Sequence, residues 1–542
     1  MRLRRINIIK KIGALMINGA LMFMLLNLPL FLIEKSDAIL NLQSSKLFAA
    51  DEKKTENKDK DEDEDEDENE DDDKKKKSTK KSTKKDDGKE KPEFSFKGKV
   101  EYEHFLNTYS QQSFLDANKK MEARAQFKIK YGIEAFYFYS VTNVYLQPSF
   151  IHDSLASQNK YSPSLTAYRN LSFSSPSFEV AFQELYLCYM SDVVRIRLGN
   201  QVFAWGTADT NNPTSYFSPS DMRELLFRGS DESKIGIPAL AFMFFFDKMN
   251  LEIVFAPIHV GALNPTPGNF WSINLDNAPI NIEYINGQPM AIDFFNFAYG
   301  ARFSATVKGY DFAFSYYHGP DKNGLAVPSN TVIRSGEPLT VQIVPQYYIM
   351  NAFGFDFSTA IDKFTVQLEL AYSFDKPALL SQSGSSLTLP MDVTQTHYLS
   401  YSVGFNVKIP WKKIFKNHQG ESMLTIEWSH STYFVSSVEM PALPALIVLR
   451  YDDSFFESQL TFSFTAMYDV FKGGVVLWPK IGWDFQNSFK IELSYAFMYG
   501  VKYSQYTGQS SQETVGGYSA DNTLFYYMKD NSLVMLRLKY EF

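Results

Sequence analysis

Across residues 93–542 apolar and polar side chains alternate with a period of two. In Glu122–Tyr131 the even positions are Glu122, Arg124, Gln126, Lys128 and Lys130, and the odd positions are Ala123, Ala125, Phe127, Ile129 and Tyr131. Lys363–Phe374 repeats this, with Phe364, Val366, Leu368, Leu370, Tyr372 and Phe374 on one face and Lys363, Thr365, Gln367, Glu369, Ala371 and Ser373 on the other. Phe297–Val307, Leu399–Ile409 and Phe489–Tyr499 share the rhythm. Strand side chains point alternately to opposite faces, so each segment reads as a strand with one apolar and one polar side.

A soluble sandwich also alternates; length and loop rhythm decide. The segments run for 10–14 residues, where sandwich strands average roughly 5–6 and a tilted membrane-crossing strand needs roughly 9–11. Tight turns at Ser191-Asp192, Asp247–Asn250, Lys308–Asp311 and Asp362-Lys363 alternate with polar loops near 151–176, 205–234, 261–290, 319–340 and 375–395. Short turns on one side and long loops on the other are the pattern of outer-membrane barrels, and aromatics at the strand ends match their interfacial girdles. A first count gives seventeen strands, which cannot close with both ends on one side. Reading Ala445–Tyr451 as a further strand before Asp452-Asp453 gives eighteen. The predicted fold is all-β, a transmembrane antiparallel barrel of about 18 strands closed by the C-terminal one, with sixteen as the alternative. A barrel of this size encloses an aqueous channel.

Composition agrees. Residues 93–542 hold 82 of the 85 aromatics but only 33 Lys/Arg and 41 Asp/Glu, about 16% charged against a globular norm of about 25%. A single apolar stretch of 18 residues or more, Ile12–Ile33, excludes a multipass helical protein. One cysteine, Cys188, excludes an intrachain disulfide framework and a Cys-rich zinc site. The net charge of −8 argues against a nucleic-acid partner.

Two segments precede the alternating region. In residues 1–50, Arg2, Arg4, Arg5, Lys10 and Lys11 lead into the apolar run, as in an export signal, with cleavage after Ala38 or near Ala50. The other reading is an uncleaved membrane anchor. Residues 51–92 are low in complexity: twelve of the thirteen residues from Asp61 to Asp73 are acidic, and lysine-rich repeats follow to Lys85. With no apolar residues to bury, this stretch reads as a disordered periplasmic tether. Its carboxylates lack the spacing and turn glycine of a calcium loop.

The final strand alternates Val534, Leu536, Leu538, Tyr540 and Phe542 with Met535, Arg537, Lys539 and Glu541. Its aromatic end, Tyr540 and Phe542, resembles the signal read by the outer-membrane barrel assembly machinery. In Val193–Phe203 the parity separates Val194, Ile196, Leu198 and Val202 from Arg195, Arg197 and Gln201. A lipid-facing Arg near mid-membrane costs about 2–4 kcal/mol, so Arg195 and Arg197 face the lumen. By the same argument so do Arg124, Lys128, Lys130, Arg302, Lys408 and Arg537, with Glu122, Glu369, Glu427 and Glu492 as opposing charges. For any single one of them, the preferred reading is a paired wall residue without a role in selectivity.

Gly199-Asn200-Gln201, Trp205-Gly206, Asn212-Pro213 and Ser218-Pro219-Ser220-Asp221-Met222-Arg223-Glu224 then follow in order, and Lys234–Leu240 opens the next strand with Pro238. This set resembles a largely uncharacterised family of porin-like bacterial outer-membrane barrels, over Arg195–Pro257. The resemblance implies a barrel and passage of a small molecule, with outer-membrane lipid and a small-molecule solute as partners. Asn200 stands at a commonly basic position, so no anion-binding role carries over to it. Ser218, Pro219 and Asp221 predict a short helix through about Phe227. Trp205, Phe217, Leu225, Leu226 and Phe227 are too apolar for an exposed loop. Either the loop folds into the barrel mouth as a constriction, with Arg195, Arg197, Gln201, Trp205, Asn212, Asp221, Arg223 and Glu224 about it, or it packs on neighbouring loops.

Enzymatic and metal readings find little. The seven histidines are scattered without metal-ligand spacing, and His152-Asp153 beside Ser154 are chain neighbours, unlike the residues of an oriented triad. No cofactor motif is present. The expected function is passage of a small solute, with a surface adhesin or structural envelope barrel as the other reading.

Overall fold

The computed structural model describes residues 92–109, 117–147, 172–175, 178–228 and, with short interruptions, 233–500, together with 524–542. The predicted signal segment, nearly all of the charged tether and most of the loop near 151–176 lie outside the described residues.

The alternating segments form strands that are long for a globular protein. The first eight are β1 (Glu93–Asn107), β2 (Asn118–Ile133), β3 (Phe136–Leu146), β4 (Ser172–Ser175), β5 (Phe178–Met190), β6 (Val194–Gln201), β7 (Ile237–Phe246) and β8 (Met249–Ala256). The middle of the chain gives β9 (Ile280–Tyr284), β10 (Ala298–Val307), β11 (Tyr310–Pro320), β12 (Leu325–Val332), β13 (Leu339–Gln346), β14 (Ile349–Ile361) and β15 (Phe364–Leu379). The last are β16 (Val393–Lys408), β17 (Met423–Tyr433), β18 (Leu446–Phe455), β19 (Leu460–Asp469), β20 (Gly474–Asp484), β21 (Phe489–Gly500) and β22 (Leu533–Glu541).

Eighteen of these close a continuous antiparallel barrel, each paired with the next around the ring. Closure is made by β22 on β1, in register from Lys99↔Glu541 to Asn107↔Leu533. The other four stand outside the ring. β4 pairs with the part of β5 from Phe178 to Ala181, beyond the stretch that pairs with β6, and β12, β13 and β9 make a small separate sheet in which β9 runs parallel to β13. The eighteen-strand count stands.

The parity argument also stands. Register aligns Arg195 and Arg197 with Met190 and Cys188 on β5 and with Met243 and Ala241 on β7, whereas Leu198 on the opposite face is exposed. Outward positions carry exposed Phe303, Phe314, Phe353, Phe405, Ile426 and Leu493, which is the surface lipid tails require. Near the turn end this face is aromatic: Phe94, Phe96, Tyr131, Phe136, Phe364, Trp483, Tyr540 and Phe542 are all exposed.

Turn chemistry fits the tight connections. Lys308 and Gly309 both have positive φ, 53° and 83°, as a two-residue hairpin turn with the strands' own twist demands. Two departures from the expected rhythm occur. Residues 409–422 make a longer connection on the turn side, and β18 runs on through Asp452 and Asp453 to Phe455 instead of ending at Tyr451. Asp453 stays in the strand because its carboxylate accepts from His418 (2.9 Å), Ser422 (2.7 Å) and Tyr451 (2.7 Å). The predicted loops near 319–340 and 375–395 also hold strand: β12 and part of β13 in the first, and the ends of β15 and β16 in the second.

Phe542 completes the seam. Its N–H donates to the Gly98 carbonyl (2.8 Å) and its carbonyl accepts from Gly98 N–H (2.9 Å), while its ring packs on Phe96 (5.8 Å) and covers the place a Gly98 side chain would occupy. Gly98→Val is therefore expected to cost about 1–3 kcal/mol by overpacking, read as a lower urea midpoint of the folded barrel in detergent. The loss should shrink in the G98V/F542A double variant; an undiminished loss would place the clash elsewhere.

Candidate functional site

The chain leaves the wall at Gln201, and from Val202 onward its amides have no neighbouring strand. A buried amide without an acceptor costs about 1–3 kcal/mol, so the segment needs acceptors of another kind, and inward-facing side chains provide them. Glu184 of β5 accepts from Val202 N–H (3.1 Å) and Ser218 Oγ from Phe203 N–H (2.7 Å). Glu369 of β15 accepts from the N–H groups of Thr207, Ala208 (2.5 Å) and Thr214 (3.4 Å), and from the side chains of Asn212 (3.2 Å) and Thr214 (3.1 Å). Glu427 of β17 accepts from three successive amides, Asp209, Thr210 and Asn211, each at 2.9 Å. Thr214 also donates to Asp356 of β14 (2.6 Å). Since β17 lies eight barrel strands from β6, close to half-way round the ring, the segment crosses the barrel interior.

Gly206 makes the close approach possible. Its φ is +103°, and a β-carbon there would run into the Glu369 carboxylate; both requirements select glycine.

The returning half is fixed to other strands by charge. Asp221 pairs with Arg223 (2.8 Å) and Arg228 (2.7 Å), and Arg223 also with Glu179 of β5 (3.2 Å). Burial works against the Arg223 charge, but Asp221 and Glu179 together outweigh it and hold the guanidinium above its ordinary pKa. Glu224 takes Lys120 of β2 (2.8 Å), which also pairs with Glu103 (2.6 Å) and Glu122 (3.4 Å). Lys322, between β11 and β12, donates to the carbonyls of Ser215 and Ser218 (3.2 Å), and burial pushes its amine down to about 8.

Two apolar clusters complete the packing. Trp205 meets Phe217 edge-on (5.1 Å) while Tyr216 stacks on Tyr317 of β11 (5.4 Å). Leu225 and Phe227 join Trp271, Phe525 and Met528 against β20–β22 and Phe105 of β1.

The sequence-predicted residues thus fall into three groups. Arg195 and Arg197 lie in the lumen: Arg195 reaches Met243 Sδ (3.2 Å) and Arg197 pairs with Glu252 (3.2 Å), the same carboxylate that accepts from Trp205 Nε1 (2.8 Å). Gln201 and Asn212 hold backbone, donating to the Ala239 (2.9 Å) and Ala208 (2.7 Å) carbonyls, and Asn200 does likewise on β5. Asp221, Arg223 and Glu224 are buried in the anchor network, with Asp221 and Arg223 fully enclosed. The predicted helix from Ser218 is absent; only a 3-10 turn at Leu225–Phe227 forms. Ser218 is occupied by Phe203 N–H, and Ser220 bridges to Lys234 instead. The anchoring roles of Glu179, Glu184, Asp356, Glu369 and Glu427 were not legible beforehand. Their one signal was an acid at an inward position of a strand.

Although Asp209, Thr210 and Asn211 are bonded to an inward-facing carboxylate, all three are exposed to water. On the same side of the ring, Arg450 of β18 pairs with Asp452 (2.7 Å) yet leaves 56% of its side chain accessible.

No family model and no curated protein matches the chain. Among solved structures it is similar to OmpT, an outer membrane protein of Vibrio cholerae (10% identity, TM-score 0.38), covering 83% of this chain and 99% of that one. It is likewise similar to OccAB3 of Acinetobacter baumannii (10% identity, TM-score 0.42, the same coverage). A Salmonella typhi OmpF complex with daunomycin also matches (9% identity, TM-score 0.38, 83% and 97% covered). At these scores the likeness adds no argument to the strand register, on which the fold rests.

Removing either clamping carboxylate is expected to loosen the crossing segment without opening the wall. In Glu369→Ala or Glu427→Ala the amides of 207–211 should exchange hydrogen at least about tenfold faster, since each lost hydrogen bond leaves a donor short of its acceptor. Amides of β15 and β17 should keep their protection. Unchanged exchange at 207–211 would mean that other contacts hold the segment.

Proposed function

We propose that this protein is an outer-membrane, porin-like channel for a small solute, narrowed by the segment that crosses its lumen between Gln201 and Lys234. One observation carries the reading: Asp209–Asn211 are water-exposed while bonded to Glu427 inside the ring. Water therefore reaches the middle of the barrel beside them. The passage runs beside that exposed turn, which Asn406 of β16 holds through Asp209 (2.9 Å), along a wall bearing Arg450 and Asp452. The resemblance carried by Trp205-Gly206 and Asn212-Pro213 points the same way. In this reading outer-membrane lipid covers the apolar belt, the aromatic Tyr540 and Phe542 serve recognition by the barrel assembly machinery, and residues 51–92 extend into the periplasm.

The other reading is a surface adhesin or structural barrel with a sealed lumen. The packing of Leu225, Phe227, Trp271, Phe525 and Met528 favours it locally, because it closes the β20–β1 sector.

Planar-bilayer recording separates the two. Purified protein should give discrete conductance steps, and shortening 207–233 should enlarge them and admit larger solutes; membrane insertion without conductance would favour the sealed barrel. Charge near a constriction sets ion preference, so Arg195→Gln with Arg197→Gln should shift reversal potentials toward cations. Both substitutions should act in the same direction, because losing Arg197 also leaves the Glu252 carboxylate uncompensated.

A further inference from the structure

Among the described turn-side connections, 409–422 stands apart at fourteen residues, where the others take two to four. Its course follows from the face it lies on. Arg450 and Asp452 of β18 stand opposite Thr425 and Met423, on the inward face of Glu427. Tyr451 and Asp453 therefore point the other way, to the lipid side of β18 at its turn end. There Phe462, opposite Asp453, is exposed, and its ring lies 6.4 Å from that of Tyr451.

A carboxylate on that side is costly unless its oxygens are satisfied. The connection satisfies them by folding outward: His418 Nε2 lies 2.9 Å from the Asp453 carboxylate and Ser422 donates to it (2.7 Å). Tyr451 (2.7 Å) and the Ser454 amide (2.8 Å) add donors from the strand. Trp411 is held on the same face, its Nε1 donating to Tyr451 Oη (2.9 Å). An indole fixed by its polar edge at the lipid-facing end of a strand is the residue of a membrane–water interface.

Lys412 and Lys413 follow Trp411 within one 3-10 turn, so their Cα atoms rise only ~4 Å beyond it. Both side chains are exposed, and neither makes an ion pair among the described residues. Asp452 is taken by Arg450, and Asp453 by the donors above. In sequence, 409–422 carries three lysines against one acid, Glu421. At this level a lysine lays its stem along apolar surface and sets its ammonium among headgroup phosphates. The apolar belt runs directly into this segment, which makes the occupant a lipid, and the excess of lysine selects an anionic headgroup over a zwitterionic one.

We infer that Trp411, Lys412 and Lys413 form a binding site for an anionic phospholipid of the leaflet at the turn end of the barrel. The indole and the Tyr451 ring lie against the glycerol and upper acyl region, and the two ammonium groups take the phosphate. The site rests on the barrel and its lipid-facing parity, and holds whether or not the lumen conducts.

The test uses the full chain in detergent micelles and, as probe, phosphatidylglycerol with a fluorophore on one acyl chain, beside the matching phosphatidylcholine. Wild type should bind the anionic lipid at least about tenfold more tightly, since each lysine near the headgroup contributes. Lys412→Gln with Lys413→Gln should bring the two lipids to within about twofold of each other and leave phosphatidylcholine binding unchanged. Lys412→Arg with Lys413→Arg should keep the preference, because the charge is kept, and high salt should weaken it by screening. Trp411→Ala should weaken both lipids alike. Equal affinity of wild type for the two lipids would overturn the inference. So would a preference that survives loss of both lysines, since the anionic lipid would then be held elsewhere. Displacement of the probe by excess inorganic phosphate would also overturn it, as the site would then recognise phosphate without lipid. No conductance is read, so failure here leaves the channel reading standing, and a sealed barrel in bilayers would leave the lipid site standing.

Discussion

An extended segment inside a barrel can persist only if its amides are satisfied, because it has no neighbouring strand to pair with. Here two wall carboxylates meet that requirement. A carboxylate presents about four lone-pair sites, so Glu427 takes three successive N–H groups and Glu369 takes the amides on either side of Asn212. The arrangement works in both directions. The N–H dipoles solvate a buried negative charge that would otherwise be costly, and the charge strengthens each hydrogen bond beyond a neutral one.

Fixing the segment at the far wall dictates the rest of its course. Gly206 is needed because the backbone passes against Glu369 where no side chain fits. Trp205, immediately before it, is then directed at Glu252 and Phe217. On the return the chain is tied to β5 by Arg223 and to β2 by Glu224. A buried ion pair is weak evidence for stability, but breaking one by removing a single partner is costly. The network of Asp221, Arg223 and Glu179 therefore specifies where the segment lies more than it adds to stability. With both halves anchored, the turn at Asp209–Asn211 has a defined place in the lumen.

The fold was largely legible because its determinants are local. Alternation in Glu122–Tyr131 and Lys363–Phe374 follows from the pleat, the direction of Arg195 and Arg197 follows from parity, and the strand before Asp452-Asp453 follows from the need to close. Where sequence reading failed, a distant residue had claimed a local signal. Ser218 and Pro219 have the form of a helix start, but the Ser218 hydroxyl is taken by Phe203 N–H and the backbone goes on to bridge Lys234. Asp452-Asp453 have the form of a turn, but His418, Ser422 and Tyr451 keep Asp453 in the strand. No short-range pattern announces that Glu369 will meet a segment some 160 positions earlier in the chain.

Parity assigns a charge to the lumen, but it does not say whether that charge acts on a solute. Lys120, Glu179, Asp221, Arg223, Glu369 and Glu427 all lie inside the ring, and each is engaged in holding the crossing segment. Arg197 is intermediate: it faces the lumen, and its charge is balanced by Glu252 of β8, a wall carboxylate that Trp205 of the crossing segment also engages. The carboxylate of Asp209 on the exposed turn and Arg450 on the facing wall do not hold the segment to β15 or β17; the first accepts from Asn406 and the second pairs with Asp452. A charge neutralised by a fixed partner contributes only a dipole, whose influence falls off faster with distance. The wall charges of both sets obey the same alternation in sequence; what separates them is whether the crossing segment reaches them.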